Sequence, residues 1–257
     1  MTGHYRAPEK LLAELGITEP EDIDLPAIAM YCGAVVVEQD LRGCEGRLIG
    51  HAGRAFITVN AASSPGRKRW SVGHELGHWM HHRGTAAFRC GKRDFKEFLT
   101  ASPEQQANQY SVDLLLPRSM FLPRAARRPI TLATVEELAR TFGTSLTATA
   151  IRLVQIGPFA SMVVVSDRNG VRWSIRNADV PDAVRLRPEP SSDTVAYDLA
   201  RGAGDPGRPA DVGAAGWFED DAAERTYVQE DSRHITRDLI LTLLWWPDEA
   251  HLLAYAE

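Results

Sequence analysis

His74, Glu75 and His78 stand in the order His-Glu-Leu-Gly-His, the residue types and spacing of a two-histidine zinc site. On an α-helix, residues four apart lie about 40° apart around the axis and about 6 Å along it, so both imidazoles can aim at one cation. Glu75 projects beside them. That is where a general base stands to take a proton from a water that zinc holds and brings to a pKa of about 7. A chance match in a helix that binds no metal is the competing reading, so the elements that would position these side chains matter.

The local sequence predicts a helix. Ser64 and Pro65 read as N-cap and first helical residue, and Gly84 sits where a left-handed residue usually ends a helix. Val72, Leu76 and Trp79 recur at i, i+4 and i+7, roughly opposite the two histidines, which leaves one face for a core and the other for a metal. Gly77 costs about 1 kcal/mol of helix propensity relative to alanine. A glycine there implies close approach by another segment.

A catalytic zinc takes three protein ligands and leaves one position for water. Residues 102–117, SPEQQANQYSVDLLLP, supply the third. Ser102 and Gln105 make a capping box, Pro103 takes the first helical position, and Ala107, Tyr110, Ser111 and Leu114 form a buried stripe. Glu104 is the preferred ligand, because the first turn of a helix favours an ionised carboxylate. Asn108, one turn on, shares its face and can orient a ligand from behind. Glu97 and Asp113 are the outside candidates, and Cys90 reads as a plain thiol. His81 falls on the ligand face, yet three ligands spread over seven residues would span about 10.5 Å of helix, too far for zinc bonds of about 2.0 Å. His81 and His82 are therefore read as flanking polar residues.

The 257 residues suffice for one large domain or two, with 44% hydrophobic and 25% charged residues, ordinary for a soluble globular protein. A net charge of −5 argues against a general nucleic-acid or membrane-surface role. No apolar run approaches the roughly 20 residues that span a bilayer. The N-terminal residues lack the apolar core of a secretion signal. Cys32, Cys44 and Cys90 are odd in number with no C-x-x-C pair, so the expected setting is a reducing cytoplasm.

Along the chain, residues 8–16 and 25–32 pattern as short helices. Residues 34–38, 45–50 and 54–60 read as an antiparallel meander, whose edge beside the metal could hold an extended peptide. Residues 85–101 read as a solvated loop with a short helix. Residues 131–156 pattern as helix, glycine turn and helix. The second of these offers only Arg152 as a base- or phosphate-contacting side chain, so a hairpin packed on the peptidase unit is favoured over a DNA reader. Arg118, Arg124, Arg127 and Arg128 keep the DNA reading open. Beyond residue 157 come a hairpin at 161–175 turning at Asn169-Gly170, long loops over 188–216, an acidic run at 219–224, and an apolar strand at 238–246 with 251–255 as its hairpin partner.

Taken together, Gly43 to Leu48, Arg67 to Trp70 leading into HELGH, and Glu104-Gln-Gln-Ala-Asn108 running to Pro117 resemble the ImmA/IrrE family of zinc metallopeptidases over residues 8–156. The resemblance implies an α+β fold with a zincin-like peptidase domain (1–125) and a helix-turn-helix-like segment (126–157); the residues beyond read as a separate strand-rich C-terminal module (158–257), where some family members carry a sensor-like module. It also implies one zinc per chain on His74, His78 and Glu104, with Glu75 catalytic. The implied partner is a helix-turn-helix repressor, cut to relieve repression of phage, mobile-element or stress-response genes. Gln106 departs from relatives that often carry a second acid there, which leaves Glu104 less competition. The alternative is a non-catalytic regulator that binds DNA or a protein and uses the metal only structurally.

Overall fold

The computed structural model describes residues 5–82, 87–91, 102–204, 207–248, 250–253 and 255, with the backbone alone at 87–91 and 253. The fold is α+β, and the chain divides into two compact units. One comprises residues 1–124 with 139–145, the other residues 125–138 with 146–257. Among the described residues no helix is long and apolar enough to cross a membrane.

In the first unit α1 (Pro8–Glu14) and α2 (Leu25–Tyr31) precede three strands, β1 (Ala34–Gln39), β2 (Cys44–His51) and β3 (Arg54–Asn60). Asp24 caps α2 by accepting from the Ala27 N–H at 3.1 Å. The strands are not the expected meander. β3 lies in the middle, antiparallel to β2 but parallel to β1. The reason is local at one end only: Ala52 and Gly53 both have positive φ, 48° and 78°, which folds β2 tightly onto β3. β1 then takes the other side of β3, whose Ala55, Ile57 and Val59 are buried.

The helix α3 (Pro65–His81) starts at the expected Pro65 and ends with His82 as its cap; Gly84 lies outside the described residues. Val72, Leu76 and Trp79 are buried, and the Trp79 indole N–H donates to the Cys32 carbonyl at 2.9 Å. β4 (Ala87–Gly91) follows, a strand where a loop was expected, and pairs with β2 at the sheet's edge in the order β1-β3-β2-β4. The short helix expected in the same connection falls mostly outside the described residues. α4 (Pro103–Leu115) begins as its sequence predicts, Ser102 Oγ accepting from the Gln105 N–H at 3.2 Å, and α5 (Arg118–Ala125) follows.

The helices α6 (Leu132–Phe142) and α7 (Leu146–Ile156) match the expected hairpin, turning at Gly143, which has φ 62°. The hairpin, expected on the peptidase unit, is divided: residues 139–145 belong to the first unit, with the Phe142 ring 5.5 Å from that of Phe121 in α5, while α7 belongs to the second, where it packs on β5 (Ser161–Asp167) and β6 (Gly170–Arg176). The loops expected over 188–216 contain α8 (Val195–Ala200) and β7 (Ala210–Gly213). β8 (Tyr227–His234) had no apolar alternation to announce it, and its Glu230, Asp231 and Ser232 are buried. β9 (Ile240–Trp245) is the expected apolar strand, but its partners are β5 and β8; residues 250–253 form the short helix α9 instead. The sheet order is β6-β5-β9-β8-β7, every pairing antiparallel.

Candidate metal centre

The site is built where α3 lies against α4, and glycine sets how close they come. A Cβ at Gly77 would stand 2.8 Å from Ala107 Cα and 2.9 Å from its carbonyl oxygen; one at Gly73 would stand 2.6 Å from Ser111 Oγ. At Gly77, where the contact is with backbone, no other residue fits without moving α4. The Ser111 hydroxyl also donates to the Trp70 carbonyl at 3.1 Å, fixing the helices along their length.

This contact aims three side chains at one point. His74 Nε2 and His78 Nε2 are 3.0 Å apart. Glu104 places Oε2 3.4 Å from His74 Nε2 and Oε1 3.3 Å from His78 Nε2. Four ligands at about 2.0–2.1 Å around zinc stand roughly 3.3 Å from one another at tetrahedral angles. The donor spacing therefore suits a small divalent cation, and these three residues can hold one. Both histidines are buried, while the Glu104 side chain is 29% exposed.

Asn108, expected behind a ligand, has Oδ1 2.9 Å from His74 Nδ1. An amide oxygen only accepts, so His74 carries its proton on Nδ1 and turns the Nε2 lone pair to the centre. Glu75 is fully buried on the same helix. Its carboxylate occupies the space a side chain at Gly46 would need: a Cβ there would lie 2.7 Å from Glu75 Oε1. Gly46 of β2 was legible as part of the Gly43 to Leu48 stretch, but nothing local in the sequence says what its missing side chain makes room for.

Among the described residues, no other candidate belongs to the ligand group. Asp113 Oδ2 accepts from the Gln109 amide at 3.0 Å on the exposed side of α4, and Glu97 is outside the described residues. The Cys90 side chain is likewise undescribed; its backbone pairs with Gly46. The His81 ring lies tilted 4.7 Å from that of Tyr5 and edge-on 6.0 Å from that of Tyr110. Burial lowers its pKa, and neighbouring His82 and His78 lower it further. The His82 ring lies 5.9 Å from that of His78, and burial followed by His78 lowers its pKa too.

Residues 29–154 match the peptidase family described as the IrrE N-terminal-like domain. These residues are an IrrE N-terminal-like domain. The IrrE-like segment runs from α2 to α7 and contains all three residues of the ligand group together with Glu75 and Asn108. Among solved structures, a Mycobacterium tuberculosis transcriptional regulator is similar to this chain with a TM-score of 0.63 at 16% sequence identity, over 97% of this chain and 78% of that one. At that identity the likeness is one of fold. No curated protein matches the chain in sequence.

Proposed function

We propose that the protein is a zinc-dependent endopeptidase, with one zinc held by His74, His78 and Glu104, that cuts a specific helix-turn-helix repressor and so relieves repression of phage, mobile-element or stress genes. The observation that supports it best is the convergence of the three donors, 3.0–3.4 Å apart, beside a buried glutamate one residue along the same helix. When bound, the cation supplies Lewis acidity toward a carbonyl and lowers the pKa of water. Glu75 takes the proton of the attacking water and then delivers it to the leaving nitrogen. Asn108 keeps His74 in the tautomer that can bind metal. Among the described residues β4 is one edge of its sheet, and its Cys90 pairs with the Gly46 that borders Glu75. A peptide added along that edge would be extended, so the scissile bond belongs in an exposed loop or a locally unfolded segment of the target.

The alternative, a regulator without catalysis, draws on the fold shared with a protein called a transcriptional regulator. DNA reading by α7 has little to work with. Its one arginine, Arg152, is 4% exposed, and upstream Arg124 and Arg128 are ion-paired with Glu19 and Glu137. The two readings part at Glu75. Wild type and Glu75→Gln are incubated with a repressor encoded nearby, and cuts are mapped by mass spectrometry. The expected result is a defined cut by wild type, none by the variant, and equal zinc content in both. If Glu75→Gln retains the full biological effect, the peptidase reading fails. Rapid digestion of casein would instead sink the claim of a specific target while leaving the chemistry standing.

A further inference from the structure

Strand β8 of the second unit carries adjacent buried carboxylates that the reaction does not use. Glu230 is 0% exposed and Asp231 1%. Neighbours on a strand point to opposite faces, and each of these binds the start of a different helix. Glu230 Oε1 accepts from the Ala196 N–H at 2.7 Å and Oε2 from the Val195 N–H at 3.2 Å, the first amides of α8. Two more donors fix the same carboxylate: the Trp217 indole N–H at 3.0 Å and the Ser232 hydroxyl at 2.7 Å. On the other face Asp231 Oδ2 accepts from the Leu132 N–H at 2.7 Å, the first amide of α6, and two residues on Arg233 donates to Glu136 of the same helix at 3.0 Å.

The two faces are otherwise separate. Val228, Ile240 and Leu244 join Trp217, Phe218 and Leu199 in one apolar cluster, to which the buried Leu241 and Leu243 of β9 do not belong. β8 hydrogen-bonds through side chains to helices on both sides. A buried carboxylate that loses its donors is strongly disfavoured, so the strand must follow whichever helix start it holds. Moving Glu230 moves Asp231 on the same backbone.

We propose that β8 couples the α8 face of the C-terminal sheet to the first helix of the hairpin, so that displacing the start of α8 releases the start of α6, and the reverse. This goes beyond the peptidase reading and does not depend on it.

The test is native-state hydrogen exchange on the full chain. Glu230→Gln puts an amide N–H group among donors that need an acceptor, and it touches α8 but not α6. Coupling predicts faster exchange, about tenfold or more, at residues 195–200 and also at 132–135, with the β5 and β9 amides at 162–165 and 241–244 unchanged. Asp231→Asn should do the same in reverse, with the effect reaching α8. Should Glu230→Gln not fold, Ser232→Ala, which removes one donor to the same carboxylate, carries the same comparison. Exchange that rises in α8 alone overturns the proposal. So does an equal rise through β5 and β9, which marks a general loss of stability instead of a link between two helices.

Discussion

Two imidazole nitrogens facing each other at 3.0 Å, with a carboxylate 3.3–3.4 Å from both, make an arrangement that a shared cation stabilises. At the residue scale the arrangement depends on protons as much as on positions. Because Asn108 Oδ1 accepts a hydrogen bond from the His74 Nδ1–H, His74 presents its Nε2 lone pair inward. Asn108→Ala should therefore lower zinc affinity by about 10–100-fold, the usual cost of losing a partner behind a ligand. A competition titration against a chromophoric chelator measures this, and Asn108→Asp should recover part of the loss because its oxygen still accepts. Unchanged affinity in Asn108→Ala would remove Asn108 from the site. That Asn108 and Glu104 share a face was legible from their spacing of four, whereas the choice of His74 over His78 as the partner was not.

At the scale of the element, the site is a statement about two helices. Gly77 weakens α3 as an isolated helix, and its Cα is where the backbone of Ala107 comes to rest. In Gly77→Ala two effects compete: a gain of about 1 kcal/mol in helix propensity against roughly 1–3 kcal/mol for overpacking. A contact of 2.8 Å with backbone cannot be relieved by a rotamer, so overpacking should win. The expected outcome is a lower melting temperature and weaker zinc binding, since Glu104 and Asn108 flank Ala107 on α4. A variant that melts higher and binds zinc as tightly would show that α4 yields without strain. Element starts were the most legible features. Pro65, Ser102 with Pro103, and Asp24 all stand where caps and first turns form, because capping is decided within a few residues. Strand partners were not, since β1 and β2 both pair with β3 and only one of them reaches it by a tight turn.

For the molecule as a whole, the buried acids of β8 make stability depend on pH. Burial raises the Glu230 carboxyl above the ordinary glutamate value, although four donors pull it back. A raised value means that the folded state holds the proton longer than the unfolded chain does. Its contribution to stability is then greatest below the unfolded value, about 4.5, and is lost as pH rises through the folded one. Glu230→Gln cannot ionise. The stability of wild type relative to this variant should therefore decline as pH rises upward from about 4.5, measured by urea unfolding across the range. A difference that stays flat with pH would show that Glu230 titrates normally in the folded protein. The same strand explains why the C-terminal module was hard to read. Gln229 to Arg233 carry no apolar alternation, yet Glu230 and Asp231 are buried because helix starts distant in the chain donate to them.

By itself the sequence determined the chemistry on offer: the helix that carries His74, Glu75 and His78, the capped helix that carries Glu104 and Asn108, and the need for something to lie against Gly77. Each of these follows from spacings of three or four residues and from caps, which are local. Tertiary structure decided the rest. It set the approach of α4 to α3, the pocket that Gly46 leaves for Glu75, the parallel pairing of β1, and the conversion of Arg152 from a candidate DNA contact into a buried side chain. The reason is the same in each case: a close approach or a buried charge is permitted only by partners tens of residues away, and Leu132 finds its Asp231 across 99 of them.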